Sequence, residues 1–171
     1  MVLYRRNRVQ GGTYFLTVTL RDRSASFLVD HAEALRESFR SVRTHLPFII
    51  DALVIMPDHL HLLCTLPEGD DAYSERIRLL KRNFTAALSG QIELPGKGLW
   101  QPRFWEHTVR DEADFQRHFD YIHFNPVKHG YVNRVADWPY SSFHKHVKNG
   151  LLAADWGGDF AEIVDGGYGE R

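Results

Sequence analysis

The stretch PFIIDALVIMPDHLHLLCTL constrains the fold of this chain more than any other. Two apolar runs meet at a tight Met56-Pro57-Asp58 turn, so they read as the two strands of a hairpin. The first run, FIIDALVIM, is expected to be buried on both faces for much of its length. The second alternates. Leu60, Leu62, Cys64 and Leu66 point to one face as core, and His59 and His61 point to the other. On a strand the Cα atoms of such a pair stand about 6.8 Å apart. Imidazoles at that spacing can converge on one ion at about 2.1 Å from each nitrogen. Two hydrogen-bonded surface histidines have the same pattern, so His-x-His alone does not decide. Position 63 is Leu, which counts against a histidine-triad nucleotide hydrolase with three alternating histidines.

Around this hairpin the periodicity gives an α+β order. GGTYFLTVTLRD alternates as a strand, with Tyr14, Leu16, Val18 and Leu20 on one face. DHAEALRESFRSVRTHL is a helix with Asp30 at its N-cap position and Pro47 beyond its end. DDAYSERIRLLKRNFTAALSG is a second helix, with Ile77, Leu80, Phe84 and Leu88 on one side and Gly90 at its end. LWQPRFWEHTVR is loop plus strand. DEADFQRHFDYIHF is a third helix, expected to end at Asn125-Pro126. Short helical turns are expected after it. Strand, helix, strand, strand, helix, strand, helix is the pattern of a ferredoxin-like split βαβ with a mainly antiparallel sheet.

The 171 residues suit one domain, expected over residues 1–152, followed by an acidic, Gly-rich tail over 153–171 that is poorly packed or free. No apolar run is long enough for a membrane span, and the basic N-terminus is not followed by a signal-type apolar segment. The single cysteine, Cys64, rules out an internal disulfide and fits the cytoplasm. The net charge of −1 hides an asymmetry: residues 155–171 carry five acidic groups and one arginine, and without them the balance is +3. Arg5, Arg6, Arg8, Arg21 and Arg23 crowd the first 23 residues against Asp22 alone. Such an arm is either a solvated basic segment or a phosphate-binding patch.

The third helix bears on the histidine pair. Phe115, Phe119 and Ile122 form the stripe expected to be buried. Beside it lie Asp114, His118, Tyr121 and Asn125, which cover an arc of about 60°. Tyr121 is either an amphipathic edge residue or a phenol facing the sheet that carries the histidines. A phenol, with its pKa of about 10, is a poor nucleophile at neutral pH. A divalent ion beside the target phosphate offsets that weakness. Two imidazoles leave such an ion under-coordinated, and an oxygen from Asn125 one turn after Tyr121 would add a third contact.

His59-Leu60-His61 resembles the His-apolar-His motif of single-tyrosine HUH nucleases. DYIHFNPVKHGYV resembles the tyrosine segment of the REP-associated tyrosine transposases. YRRNRVQGGTYFLTVTL, LVIMPDHLHLL, LWQPRFWEHTVRDEADFQRHFDYIHFNPVKHGYV and DWPYSSF fit that group in order, from about Tyr4 to Phe143. The resemblance implies a bacterial, nucleoid-associated enzyme that nicks and rejoins single-stranded or hairpin DNA at repetitive extragenic palindromes. Tyr121 would be the nucleophile of a 5′-phosphotyrosine intermediate. His59, His61 and Asn125 would hold Mg²⁺ or Mn²⁺. DNA contacts are expected from Arg5, Arg6, Arg8, Lys81, Arg82, Arg103, Lys145 and Lys148, and stacking of unpaired bases from Trp100, Phe104 or Trp105, although burial against the sheet is the simpler expectation for Phe104 and Trp105. Glu106 and His107 read as strand-edge residues. The chain would act as a monomer or homodimer. Two other readings stay open: a hairpin-DNA-binding protein with little cleavage activity, and a metal-dependent nucleotide phosphohydrolase with no need of Tyr121.

Overall fold

A computed structural model describes residues 6–157 together with Tyr168. Four strands, β1 (Thr13–Thr19), β2 (Ile49–Ile55), β3 (His59–Thr65) and β4 (Trp105–Thr108), form one sheet in the order β2-β3-β1-β4. Every neighbouring pair is antiparallel. This is the split βαβ order expected from the sequence, with the β2-β3 hairpin closed around Pro57-Asp58 by a Met56 N–H to His59 carbonyl bond of 2.8 Å.

The two faces of the sheet differ in chemistry. Tyr14, Leu16, Val18 and Leu20 of the β1 segment and Leu60, Leu62 and Cys64 of β3 are all buried beneath two helices, α2 (Ala32–His45) and α3 (Tyr73–Leu88). Each such side chain contributes about 1.5–3 kcal/mol by leaving water, so this layer anchors the strand register. The opposite face carries Phe15, Thr17, His59, His61 and Leu63 under α4 (Glu112–Lys128), with a 3₁₀ turn (Val135–Asp137) and α5 (Phe143–Lys148) completing that layer. No helix among the described residues is long and apolar enough to cross a membrane.

Several expectations from the sequence are corrected. FIIDALVIM is buried on both faces only in its second half, through Val54, Ile55 and Met56: β2 is an edge strand whose first half is open, with Ile49 60% exposed. A bulge at Asp51 shifts its register against β3. Asp30 does not cap α2. It ends a separate short helix, α1 (Phe27–Asp30), where the Ser26 hydroxyl donates to its carboxylate. The third helix runs through Pro126 to Lys128. Proline near a helix C-terminus removes one backbone donor. That end is secured by bonds from His129 N–H to the Asn125 carbonyl at 3.0 Å and Tyr131 N–H to the Pro126 carbonyl at 3.0 Å, with Gly130 at φ +74 turning the chain away.

The most informative correction concerns the face α4 presents. Of the stripe expected to be buried, Ile122 is, whereas Phe115 and Phe119 are only partly so; Asp114, His118, Tyr121 and Asn125 are buried. The helix presses its polar stripe, not its phenylalanine pair, onto the sheet.

Candidate active site

Strand alternation sets His59 and His61 on the α4 side, with ring centroids 4.9 Å apart. Both rings are buried, and each is held through Nδ1. His59 Nδ1 donates to the Asp58 carboxylate at 2.8 Å. Asp58 also pairs with Arg23. Burial pushes the Asp58 carboxyl up, but the bonds to His59 and Arg23 more than offset it and hold its pKa below the usual value. His61 Nδ1 lies 2.8 Å from Thr17 Oγ1, directly across the β1-β3 ladder. Thr17 gives its own proton to the Tyr168 carbonyl at 2.8 Å, so it accepts from His61. Both histidines therefore carry a proton on Nδ1. His59 Nε2 is buried without a hydrogen-bond partner among the described residues. Burial, then the neighbouring His59, Lys128, His129 and Arg23 side chains, drive the pKa of His61 well below its ordinary value. It stays neutral and ligand-competent at neutral pH. Two buried imidazoles, each tied through Nδ1, fit a divalent cation at Nε2.

The Tyr121 ring stands edge-on to His61, with centroids 5.2 Å apart, and edge-on to Phe15 at 6.1 Å. Asn125 is fully buried one turn later in the same unbroken helix. Nucleophile candidate and histidine pair thus meet within one chain. Three further residues surround them. Lys128 Nζ donates to the Tyr121 hydroxyl at 3.1 Å and sits 4.7 Å from its ring centre. The His129 ring is 5.7 Å from that of His59. Burial lowers its pKa to about 4, with His59 and Lys128 adding to the effect. Tyr168 stacks on Tyr121 with centroids 3.7 Å apart and is itself buried. The expectation of a loose tail fails at Tyr168. The rest of the tail beyond residue 157 lies outside the described residues.

A second cluster sits at the other end of the polar stripe. His107, Asp114 and His118 bring their ligand atoms within 4.8 Å of one another, a spacing that could hold a metal ion. Its electrostatics favour another role. Asp114 accepts from His107 Nε2 at 2.7 Å and the Arg110 backbone N–H at 3.0 Å, and pairs with the Arg110 and Arg117 side chains. Burial alone would raise its pKa, yet these donors hold it well below the usual range. A carboxylate already serving two guanidinium groups is poorly placed to bind a dication. The cluster ties the start of α4, capped by Asp111, to β4.

Of the residues expected to contact DNA, Arg6 and Lys81 meet over the Phe104 ring, at 3.9 and 5.7 Å from its centre. Arg5 lies outside the described residues. Arg6 pairs with buried Glu106 at 3.0 Å and lies over the Phe104 ring at 3.9 Å. Arg8 faces Asp71 at 3.6 Å. Lys81 donates to the Gln101 carbonyl at 2.9 Å, and burial lowers its pKa to about 8. Arg82 and Arg103 are exposed, as are Lys145 and Lys148 on α5. Trp100 is buried, and its indole N–H is bound at 3.2 Å to the Lys81 carbonyl. Burial was the expectation for Trp105, but it is 45% exposed, on the same sheet face as Thr17 opposite it.

The chain is similar to known proteins over most of its length. The family model described as transposase IS200-like matches residues 8–125. A REP-associated tyrosine transposase of Escherichia coli K12 is 46% identical over 168 residues, covering 98% of this chain and 96% of its own. A Haemophilus influenzae relative is 48% identical over 164 residues, covering 91% and 93%. A solved structure described as the REP-associated tyrosine transposase bound to a REP hairpin superimposes with TM-score 0.91 at 46% identity, covering 100% of this chain and 98% of that one.

Proposed function

The chain belongs to the IS200-like transposases, an enzyme family, and from that premise we propose that it cuts and rejoins single-stranded DNA beside a palindromic hairpin through a covalent bond to Tyr121. The observation that carries this reading is the meeting of Tyr121 with a pair of buried histidines whose Nδ1 atoms are both tied. His59, His61 and Asn125 would hold Mg²⁺ or Mn²⁺, which supplies Lewis-acid polarisation of the scissile phosphate when bound. Asp58 and Thr17 fix the two rings so that Nε2 faces inward. The Tyr121 oxygen attacks the phosphorus, the bond to the 3′-oxygen breaks, and a 5′-phosphotyrosine and a 3′-hydroxyl result. Attack by a 3′-hydroxyl on that linkage reverses the step, so rejoining needs no external energy source. Phe15 backs the nucleophile and keeps the ring from turning away. DNA contacts would come from Arg5, Arg6, Arg8, Lys81, Arg82, Arg103, Lys145 and Lys148, with Trp105 offering an exposed ring for an unpaired base. Salt-sensitive affinity follows from such phosphate contacts.

Residues 1–152 form the catalytic unit in this reading, and the acidic segment 153–171 modulates it. The alternative of a hairpin-binding protein with little cleavage is favoured by one observation, the Tyr168 ring stacked on Tyr121. A labelled single-stranded hairpin incubated with protein and Mn²⁺ separates the two. A covalent adduct that survives SDS with wild type and disappears in Tyr121→Phe is expected. Hairpin binding without adduct, across metals and hairpin sequences, would establish the alternative.

A further inference from the structure

Lys128 continues the polar stripe of α4: it lies seven residues after Tyr121 and therefore on the same side of the helix. Its ammonium touches the phenol oxygen, at 3.1 Å, and it also lies over the ring face at 4.7 Å. The side chain reaches this position from the last turn of α4, where the helix dipole favours a cation. The contact aims a positive charge at the phenol oxygen, which must lose its proton to attack.

We propose that Lys128 is a catalytic residue that stabilises the negative charge on the Tyr121 oxygen as it attacks the phosphate and again as it leaves during rejoining. The inference rests on the proposed tyrosine chemistry. In the forward step the Tyr121 oxygen–phosphorus bond forms and the phosphorus–3′-oxygen bond breaks. The phenolic proton passes to water, and water protonates the departing 3′-oxygen. Lys128 keeps its protons and lends only its charge and an N–H donor. In the reverse step the 3′-hydroxyl attacks, its proton goes to water, and the phenolate leaves against the same ammonium. One contact thus serves both directions, as microscopic reversibility requires of a group acting on the nucleophile.

The test uses the full chain and a single-stranded hairpin oligonucleotide that gives an SDS-stable adduct with the wild type. Single-turnover adduct formation, rejoining and hairpin affinity are measured for wild type, Lys128→Met and Lys128→Arg. Loss of one charged donor to a reacting oxygen is expected to slow Lys128→Met by about 10²–10³-fold. Cleavage and rejoining should slow together, hairpin affinity should stay within about twofold, and Lys128→Arg should recover most of the rate. A wild-type adduct rate in Lys128→Met would overturn the assignment while leaving the tyrosine chemistry standing. So would weakened, salt-dependent hairpin binding with an unchanged rate in the bound state, which would make Lys128 a phosphate contact. Absence of any adduct with the wild type would instead overturn the tyrosine chemistry itself.

Discussion

Asp58→Ala isolates the part of the site that orients the histidines without touching the proposed nucleophile. The carboxylate is the acceptor for His59 Nδ1 at 2.8 Å, in a position where His59 is 3% exposed. Without it, the buried N–H loses its acceptor, at a cost of about 1–3 kcal/mol in stability. Its ring is also free to adopt the other tautomer, which puts the proton on the nitrogen that must bind the ion. Partners of this kind change metal affinity by about 10–100-fold, or about 1.4–2.8 kcal/mol. Arg23, the second partner of Asp58, is exposed, so its pair adds little. Titration of DNA-free protein with Mn²⁺, followed by electron paramagnetic resonance, should therefore show affinity falling at least tenfold in Asp58→Ala. Asp58→Asn, which keeps an accepting oxygen, should lie between, and Arg23→Ala should stay within about twofold of wild type. Asp58→Ala binding Mn²⁺ as tightly as wild type would refute the assignment of His59 Nε2 as a ligand.

Other outcomes follow from the same structure. His123 is buried between the Phe119 carbonyl at 2.8 Å and the Ser142 hydroxyl at 2.9 Å, and burial lowers its pKa to about 3. The unfolded state then binds the extra proton first, so stability is full above pH ~6.5 and falls by about 1.4 kcal/mol per pH unit below it; urea denaturation at pH 7.5 and 5.5 checks this, and equal stability at both would contradict it. Phe15 touches His61, His118, Tyr121 and Tyr168, so Phe15→Ala should cost about 3–5 kcal/mol in unfolding free energy and abolish adduct formation. A loss below about 1 kcal/mol would show that the ring is not a packing centre. Tyr168→Ala removes the ring that DNA must displace to reach Tyr121 and should raise single-turnover cleavage severalfold; a slower rate would mean the ring assists the reaction.

The sheet and its helices were legible in the sequence because alternation and helical spacing are local signals. His59, His61 and their common face could be read from three residues, and Tyr121 and Asn125 from a stripe on one helix. Which stripe of α4 meets the sheet could not be read this way. Hydrophobicity pointed to Phe115 and Phe119, whereas the sheet face beneath α4 is itself polar, with Thr17, His59 and His61, and selects the matching polar stripe. Proline statistics misplaced the end of α4 because packing of Asn125 and the turn at Gly130 hold the last residues helical. Thr17 became visible only through strand register, which places it opposite His61 from forty-four residues away. Lys128 and His129 were within reach, since they extend the Tyr121–Asn125 stripe by one more turn. The basic residues were the least legible. Charge counts along the chain do not reveal that Arg6 is taken up by Glu106 or that Lys81 is drawn down to a backbone carbonyl.

The tyrosine chemistry stands or falls on where the DNA becomes attached. Trypsin cuts after Arg117 and Lys128, releasing HFDYIHFNPVK, in which Tyr121 is the single tyrosine. Mass spectrometry of the nuclease-trimmed adduct should place a nucleotide phosphate on Tyr121 in this peptide. Attachment at Tyr168, stacked directly against it, or at any other residue would contradict the assignment of the nucleophile.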